Sequence, residues 1–188
     1  MKIIDLKKYA GASAQKQIDD YCGGKVDRNK FLGFFDNHII GLQYCDPGYN
    51  IAGPTHNASI SLFKNGLGIY FRNLENNRLV LLTNQEIRSI SIEKRSDVVR
   101  PFNFSIFTML MKSGISYHRS KNFLMPKEYL EENAGICNIS TEDHHFTFTI
   151  KKMNAAKVGD IFQQSNLSSV LHISIASPVI MGSGYAVK

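Results

Sequence analysis

The sequence has no tryptophan and only three cysteines. Cys22, Cys45 and Cys137 are widely spaced, and none belongs to a C-x-x-C pair of the kind that holds zinc. An odd number of scattered cysteines argues against a disulfide framework, so we expect reduced thiols in a cytoplasmic protein. The small number and wide spacing of the cysteines argue against a small disulfide-stapled domain and against a zinc finger.

Long hydrophobic runs are also missing. The longest apolar-rich stretch is FNFSIFTMLM at 102–111, which is too short to span a bilayer. The N-terminal stretch MKIIDLKKYAGA has no apolar core of signal-peptide length. Because 43% of the 188 residues are hydrophobic and 20% are charged, the composition is that of an ordinary folded chain. We expect a soluble protein with one domain, or one domain and an extension.

Glycine-rich phosphate loops are absent, since neither NGLG nor GSG matches a nucleotide-binding pattern. We therefore expect no cofactor. Acidic residues are in the minority, with 16 Asp and Glu against 22 Lys and Arg, and this balance favours anionic partners. The basic excess is concentrated between Glu93 and Glu128, where seven basic residues stand with three acidic ones.

Alternating apolar residues predict strands from residue 58 onward. A hairpin is predicted by ASISLF and LGIYFR, because the turn KNG between them contains Asn-Gly, which accepts positive φ at little cost. The next two strands are predicted by RLVLLT and IRSISIEK, and we expect all four to form an antiparallel meander. A later strand pair is predicted by GICNIS and HHFTFTIKK, and the stretch after residue 170 predicts one more strand.

A closing helix is predicted by NAAKVGDIFQQS. Ala155, Val158 and Phe162 form a stripe with helical spacing, and Ile161 lies beside it. Asn154 is the expected N-cap.

The first 57 residues have a different pattern. A short helix is predicted by SAQKQIDDYCGG, with Ser13 as its N-cap and Gly23 at its end. The stretch FLGFFDNHIIGLQYC is apolar without a clean period, so helix and strand both stay open. A loop is predicted by CDPGYNIAGPT, and a helical turn or loop by KEYLEENAG further along.

The strand order resembles that of a PH-like domain, of the bacterial PH and GRAM-like type. The resemblance covers about residues 58–166 and is carried by LFKNGLGIYF, LLTNQEIRSI, the later hairpin and the amphipathic helix. It implies a mainly β (α+β) fold, a bent antiparallel barrel closed by a C-terminal helix. Residues 1–57 would be an N-terminal extension of short helix and loop, and residues 167–188 a C-terminal strand or tail. Phe162 would fill the place of the tryptophan that many PH domains carry in this helix.

The resemblance also bears on ligands. Phosphoinositide-binding PH domains carry a lysine on the first hairpin and two basic residues, one apart, on the next strand. Lys64 and Arg72 are present here, but Tyr70 stands in the remaining position. We therefore expect no tight inositide recognition at this hairpin.

Two adjacent histidines in TEDHHFTFTIKK raise the question of a metal or catalytic site. Neighbouring residues on a strand point to opposite faces, so His144 and His145 could not both reach one metal without a bulge. Glu142 and Asp143 are residue types typical of turns. We interpret the segment as a turn before a strand, with no metal site. Cys137 lies close in sequence to both histidines, which keeps an enzyme of unknown type, such as a Cys/His hydrolase, as the alternative function.

A second candidate region precedes this turn. The stretch SYHRSKNF interleaves basic and aromatic residues, which could hold a phosphate or stack on bases, or could simply form a solvated loop. The stretch at 102–111 fits strand spacing in its first half and helical spacing in its second, so it predicts either core packing or an apolar wedge for a membrane interface. The candidate ligand-binding residues are Lys94, Arg95, Arg100, His118, Arg119 and Lys121.

We conclude from the sequence that the chain is a non-catalytic binding or adaptor module, with no predicted catalytic residue. We expect its partner to be a protein or an anionic membrane surface rather than nucleic acid. Besides the hydrolase, a structural protein that pairs through a sheet edge stays open.

Overall fold

The computed structural model describes residues 1–6, 12–24, 38–45, 56–72, 77–151 and 153–182. Strands outweigh helices in these residues, so the predicted mainly β, α+β class is confirmed. The strands are β1 (Lys2–Asp5), β2 (His38–Cys45), β3 (His56–Phe63), β4 (Gly66–Arg72), β5 (Asn77–Thr83), β6 (Ser89–Lys94), β7 (Val98–Val99), β8 (Tyr129–Glu131), β9 (Gly135–Ser140), β10 (His145–Ile150), β11 (Leu171–Ile175) and β12 (Val179–Ile180). The helices are α1 (Ala12–Cys22), α2 (Ile106–Lys112), α3 (Tyr117–Ser120) and α4 (Ala155–Gln163).

The chain divides into two compact units. Unit 1 comprises Met1–Glu93 and Gly135–Ser174, and unit 2 comprises Lys94–Ala134 and Ile175–Lys188. These bounds differ from the predicted ones, because β1, β2 and β11 come from the predicted extensions and pair within the large sheet.

Unit 1 is built on a nine-stranded sheet with the order β1-β5-β4-β3-β2-β10-β9-β6-β11. The predicted hairpin is confirmed, since β3 and β4 pair antiparallel and Phe63 faces Gly66 across the two-residue turn Lys64–Asn65. The second predicted pair is also confirmed as β9 and β10. The sheet has two ends, and no pairing joins β1 to β11 in the described residues, so it is not closed into a barrel.

The predicted four-strand meander is wrong in its last step. The predicted meander ends at β5, because β1 occupies the other edge of that strand. Strand β6 instead pairs with β9. The alternating pattern of IRSISIEK identified the strand but contained no information about its neighbour.

One face of the sheet carries the main core. Every second residue of the central strands is buried there, including Ile60, Ile69 and Phe148. Helix α4 packs on this core, and its predicted N-cap is confirmed, because the Asn154 side chain accepts a hydrogen bond from the backbone N–H of Ala156 at 3.2 Å. The predicted stripe is confirmed as well, and all four of its members are buried: Ala155, Val158, Ile161 and Phe162.

Helix α1 covers part of the other face. Ile18 and Cys22 pack there against Leu79 and Leu81 of β5, which explains why RLVLLT is continuously apolar rather than alternating.

The predicted end of α1 at Gly23 is confirmed. Gly23 has a left-handed φ of 72°, and its backbone N–H donates a hydrogen bond to the Asp19 carbonyl. The predicted cap is wrong. The helix begins at Ala12, a strong helix former, and Ser13 lies inside it.

Unit 2 contains a three-stranded sheet with the order β12-β7-β8 and the short helices α2 and α3.

The C-terminal stretch supplies two strands, β11 and β12, rather than the predicted one. The segment KEYLEENAG forms a 3₁₀ turn at Pro126–Glu128 followed by β8. The ambiguous stretch FLGFFDNHIIGLQYC becomes a strand from residue 38, whereas its residues 31–37 and the predicted loop at 46–55 lie outside the described residues.

Candidate functional site

Unit 2 buries polar side chains and exposes apolar ones. In its described residues only Val99 and Phe107 are buried apolar side chains. Five of the six buried polar side chains of the described chain belong to it: Asp97, Ser105, Thr108, Ser120 and Glu128. Ten of the fifteen exposed large apolar side chains among the described residues also lie in it: Phe102, Phe104, Ile106, Met109, Phe123, Met125, Leu130, Ile175, Val179 and Met181. Such a concentration of exposed apolar side chains is typical of an interaction surface.

The most exposed of these side chains stands on an ordered turn. Phe104 is 92% exposed and lies just before α2. Ser105 donates its backbone N–H to the Phe102 carbonyl, and the Thr108 hydroxyl donates to the same oxygen at 2.6 Å. Ser105 also caps α2 by accepting from the Thr108 N–H at 3.2 Å. The turn is therefore tied to the first turn of the helix, and Phe104 is presented to solvent by a fixed backbone.

The N-cap at Ser105 decides the structure of residues 102–111, which the sequence left open between strand and helix. From Ile106 onward it is helical, so the period of 3.6 applies to its second half. Phe107 is buried and meets the Tyr117 ring edge-on at 6.0 Å, which joins α2 to α3. Ile106 and Met109 lie on the solvent side of the helix. The segment is thus neither a strand nor mainly core.

Glu128 joins this turn to a second exposed loop. One carboxylate oxygen accepts from the Phe102 N–H at 2.8 Å, and the other accepts from the Met125 N–H at 2.7 Å. The Glu128 carbonyl accepts from the Arg100 N–H at 2.8 Å. The backbone N–H groups of Phe102 and Met125 therefore lie close together, although the two residues are far apart along the chain. We call Phe102, Phe104 and Met125 the apolar tip.

Basic residues flank the apolar tip along the chain. Arg100 stands two positions before Phe102, and Lys127 stands two positions after Met125. Both side chains are exposed, and neither has an acidic partner in ion-pair range within the described part of the chain. The arrangement combines apolar side chains that can leave water with cations beside them.

Asp97 is the polar centre of unit 2. Its carboxylate accepts from the Lys94 ammonium at 2.7 Å, from the Tyr117 hydroxyl at 3.0 Å and from the Asn133 N–H at 3.0 Å. Burial alone would raise the pKa of Asp97, but these donors and the Lys94 charge lower it. Burial and the Asp97 charge raise the pKa of Tyr117, so its hydroxyl stays a donor.

The six predicted ligand residues all lie in unit 2. Lys94 is bound to Asp97 and only 15% of its side chain is exposed, so it supports the fold. Arg95, Arg100, His118 and Arg119 are exposed, and Lys121 is half-buried. Five of the six residues are therefore placed where a partner could reach them.

His118 lies among three of these cations. Partial burial lowers its pKa, and Lys121, Lys94 and Arg119 lower it further by charge repulsion. An anion bound at this position would act in the opposite direction and favour the imidazolium.

Sequence reasoning missed the two residues that shape this surface. Phe104 appeared only as part of an ambiguous apolar run, and Glu128 only as one acidic residue in a charge count. The bond between Glu128 and Met125 could have been predicted from neighbouring residues. Pro126 at the start of a turn and an acid three residues after Met125 are typical of a capped helical turn. The bond between Glu128 and Phe102 joins residues 26 positions apart and had no such local signal.

The predicted turn at residues 141–144 is confirmed. Thr141 and His144 exchange backbone and side-chain hydrogen bonds of 2.8–3.2 Å, and β10 begins at His145. The Nδ1 atom of His145 lies 2.6 Å from the Ser140 hydroxyl. Among the residues that the structure describes, no three His, Cys, Asp or Glu side chains come together in a way that could hold a metal ion.

Cys137 has the surroundings of a core residue. It is fully buried opposite Phe148, and burial raises the pKa of its thiol to about 12. Because side chains alternate along β10, His145 lies on the other face of the sheet from the Phe148 side chain. This geometry gives no support to a Cys/His nucleophile.

The first hairpin is covered by the end of α1. Asn65 donates its N–H to the Cys22 carbonyl at 2.9 Å, and Lys64 donates to the Gly24 carbonyl at 3.2 Å. Tyr70, which stands where a basic residue would be expected, packs beside α1 and hydrogen-bonds with Ser61. The side chain of Arg72 lies outside the described residues.

Unit 1 also has a polar cleft of about 360 Å³. Its lining includes Glu86, whose carboxylate accepts from the Met1 ammonium, the Tyr21 hydroxyl at 2.8 Å and the Thr83 N–H at 2.8 Å. Burial opposes ionisation, but these donors lower the pKa of Glu86 to about 2. A carboxylate with such a pKa is a poor general acid or base near neutral pH.

No described helix is both long and apolar enough to cross a bilayer. No protein-family model matches the chain, and no curated protein matches it in sequence.

Proposed function

We propose that this chain is a non-catalytic binding module that attaches to anionic membrane surfaces through unit 2. The observation that carries the proposal is the apolar tip, which is exposed on a hydrogen-bonded backbone and flanked by Arg100 and Lys127. A flexible loop could fold its apolar side chains back onto the protein. The backbone bonds of Phe102 hold this one in place.

The charge distribution favours an anionic surface. Two of the acids in unit 2 are internal, because Asp97 pairs with Lys94 and Glu128 binds backbone N–H groups. Arg100, Arg119 and Lys127 are exposed. Each cation near an anionic leaflet contributes about 1 kcal/mol, and salt screens this contribution within about 8–10 Å.

The expected affinity is modest. Burying a large apolar side chain contributes about 1.5–3 kcal/mol when burial is complete, and the tip side chains would enter only the headgroup boundary. Together with three or four cations, and after the loss of rotational and translational freedom, this gives micromolar to millimolar binding.

We further propose that unit 1 is the scaffold of a PH-like module and that the protein acts in the cytoplasm. The antiparallel strands β3, β4 and β5 and the packing of α4 through Phe162 support the first part. On this proposal the scaffold differs from the implied barrel, because its sheet is not closed in the described residues. The buried, free thiols of Cys22 and Cys137 support the second part.

Vesicle co-sedimentation tests the membrane proposal. The protein should bind phosphatidylcholine vesicles that contain phosphatidylserine, and should bind pure phosphatidylcholine more weakly. The double variant Phe102→Ala/Phe104→Ala should lose binding by at least roughly tenfold. The control is Ile3→Ala/Ile40→Ala, which removes two exposed apolar side chains of unit 1 and should bind like the parent. Absent binding at low salt, or an equal loss in both variants, would contradict the proposal.

A protein partner is the second candidate. Leu130, Val179 and Met181 are exposed on or beside the two outer strands of the three-stranded sheet and do not belong to the apolar tip. An outer strand with exposed apolar side chains can pair with a strand of another chain. Two results together would favour this candidate: the parent protein does not bind vesicles, and the Leu130→Ser variant no longer binds a protein that the parent binds.

A further inference from the structure

We infer that Glu128 is a positioning residue, whose buried carboxylate preorganises the apolar tip for entry into the membrane. The inference rests on the proposed function. It assigns a role to a residue that touches no partner itself, since its side chain is fully buried.

The hydrogen bonds of Glu128 join its own turn at residues 125–128 to the segment at residues 100–102. Its carboxylate binds the N–H groups of Phe102 and Met125, its carbonyl accepts from Arg100, and its own N–H donates to the Met125 carbonyl at 2.9 Å. No cation of the described chain forms an ion pair with this carboxylate. A buried acid that is satisfied by backbone donors alone fixes the positions of those donors, because losing either would leave charge unsolvated.

The consequence is a rigid tip. The Phe102 carbonyl is held at the same time by the Ser105 N–H and the Thr108 hydroxyl, so this residue is fixed on both sides of its side chain. A tip that is already ordered in water loses less conformational freedom on binding, and preorganisation of this kind improves affinity without adding a contact. Without the carboxylate, Phe102 and Met125 would have to be ordered at the moment of insertion.

The negative charge of Glu128 and its hydrogen bonds to the backbone lead to opposite predictions for membrane binding when the carboxylate is removed. Taking away a negative charge near an anionic surface should strengthen binding slightly. A glutamine at this position has one acceptor oxygen and one NH2 group, so at least one of the two bonds from the Phe102 and Met125 N–H groups is lost, and this loss should weaken binding. Glu131 provides the matched control, because it is an exposed acid of the same unit on the neighbouring strand β8.

The absence of tryptophan allows a direct measurement. A Phe104→Trp variant carries a single indole at the tip, and its emission should shift to the blue on vesicles that contain phosphatidylserine. In this background, Glu128→Gln should bind about tenfold more weakly and show a smaller shift at saturation. Glu131→Gln should bind as well as the background or slightly better. Without vesicles, amide exchange at residue 102, at residue 125 or at both should be faster in Glu128→Gln only.

The outcomes separate the two claims. If the Phe104→Trp protein shows no shift on either kind of vesicle, the proposed membrane function fails and the role of Glu128 fails with it. If the shift is present and Glu128→Gln behaves like Glu131→Gln, the membrane function stands and the positioning role is wrong. Should Glu128→Gln not fold, Glu128→Asp keeps the charge but shortens the side chain, and it should show the same weakened binding. Unchanged binding in Glu128→Asp would overturn the role.

Discussion

The Lys94 ammonium lies 2.7 Å from the Asp97 carboxylate, and both side chains are largely withdrawn from solvent. Asp97 at the same time accepts from Tyr117 and from the backbone of Asn133. The pair therefore ties the end of β6 to α3 and to the segment after β8. A lysine that the charge pattern assigns to ligand binding is thus a structural residue of unit 2.

An Asp97→Asn substitution should destabilise the protein by roughly 1.5–3 kcal/mol near neutral pH, since it weakens several bonds to a charged acceptor. Its pH dependence has a definite sign. The pKa of Asp97 is lowered in the folded state, so its stabilisation is present above the ordinary value of 3.8 and is lost as the pH falls through the lowered pKa.

Urea unfolding of parent and variant, at neutral and at acid pH, measures this effect. The difference between the two proteins should shrink at acid pH. Asp160→Asn, which changes an exposed acid of α4, should have little effect at either pH. A difference that is the same at both pH values would show that the charge of Asp97 does not stabilise the fold.

Local patterns predicted strands β3–β6, β9 and β10 and helix α4, because those elements are encoded by alternation and by an apolar stripe. Asn154, Phe162 and Gly23 followed from rules that need only a few neighbouring residues. The neighbour of β6 could not be predicted in the same way, since alternation says which residues are buried and nothing about which strand pairs. The exposure of Phe104 could not be decided in the same way, because the apolar stretch at 102–111 fits core packing as well as an exposed apolar wedge.

Phe162 should be an anchor of the main core. It is fully buried on α4 and belongs to the cluster that fills the inner face of the sheet. Phe162→Ala removes most of this side chain and leaves a cavity, so we expect a loss of about 3–5 kcal/mol in the free energy of unfolding. Thermal or urea unfolding measures the loss, and Gln163→Ala, at an exposed position of the same helix, is the control. Melting within a degree or two of the parent would mean that α4 is not packed as described.

Cys137 should be chemically inert in the folded protein. Burial removes access and raises the pKa of the thiol to about 12, so little thiolate exists near neutral pH. Labelling with a small thiol reagent, followed site by site with mass spectrometry, should modify Cys137 only as fast as the protein unfolds. Cys22, which is also buried and has a pKa raised to about 11, should behave in the same way. Rapid labelling of Cys137 without denaturant would revive the hydrolase alternative.

Membrane binding should strengthen as the pH falls, and His118 should be the cause. In the free protein its pKa is lowered by partial burial and by Lys121, Lys94 and Arg119, so the ring is mostly neutral near neutral pH. An anionic surface offsets those positive charges and favours the imidazolium, which adds one cation to the interface. One added charge contributes about 1 kcal/mol, or about fivefold in affinity.

Vesicle titrations between about pH 5 and 8, the range in which histidine changes charge, measure this gain. His118→Gln should bind like the parent at the upper end and lack most of the increase at the lower end. His145→Gln is the control, because that exposed histidine lies in unit 1 and should leave the pH profile unchanged. The gain should also be smaller at physiological salt than at low salt, since screening weakens each exposed cation. A profile that stays steep in His118→Gln would place the titrating group elsewhere and remove this residue from the interface.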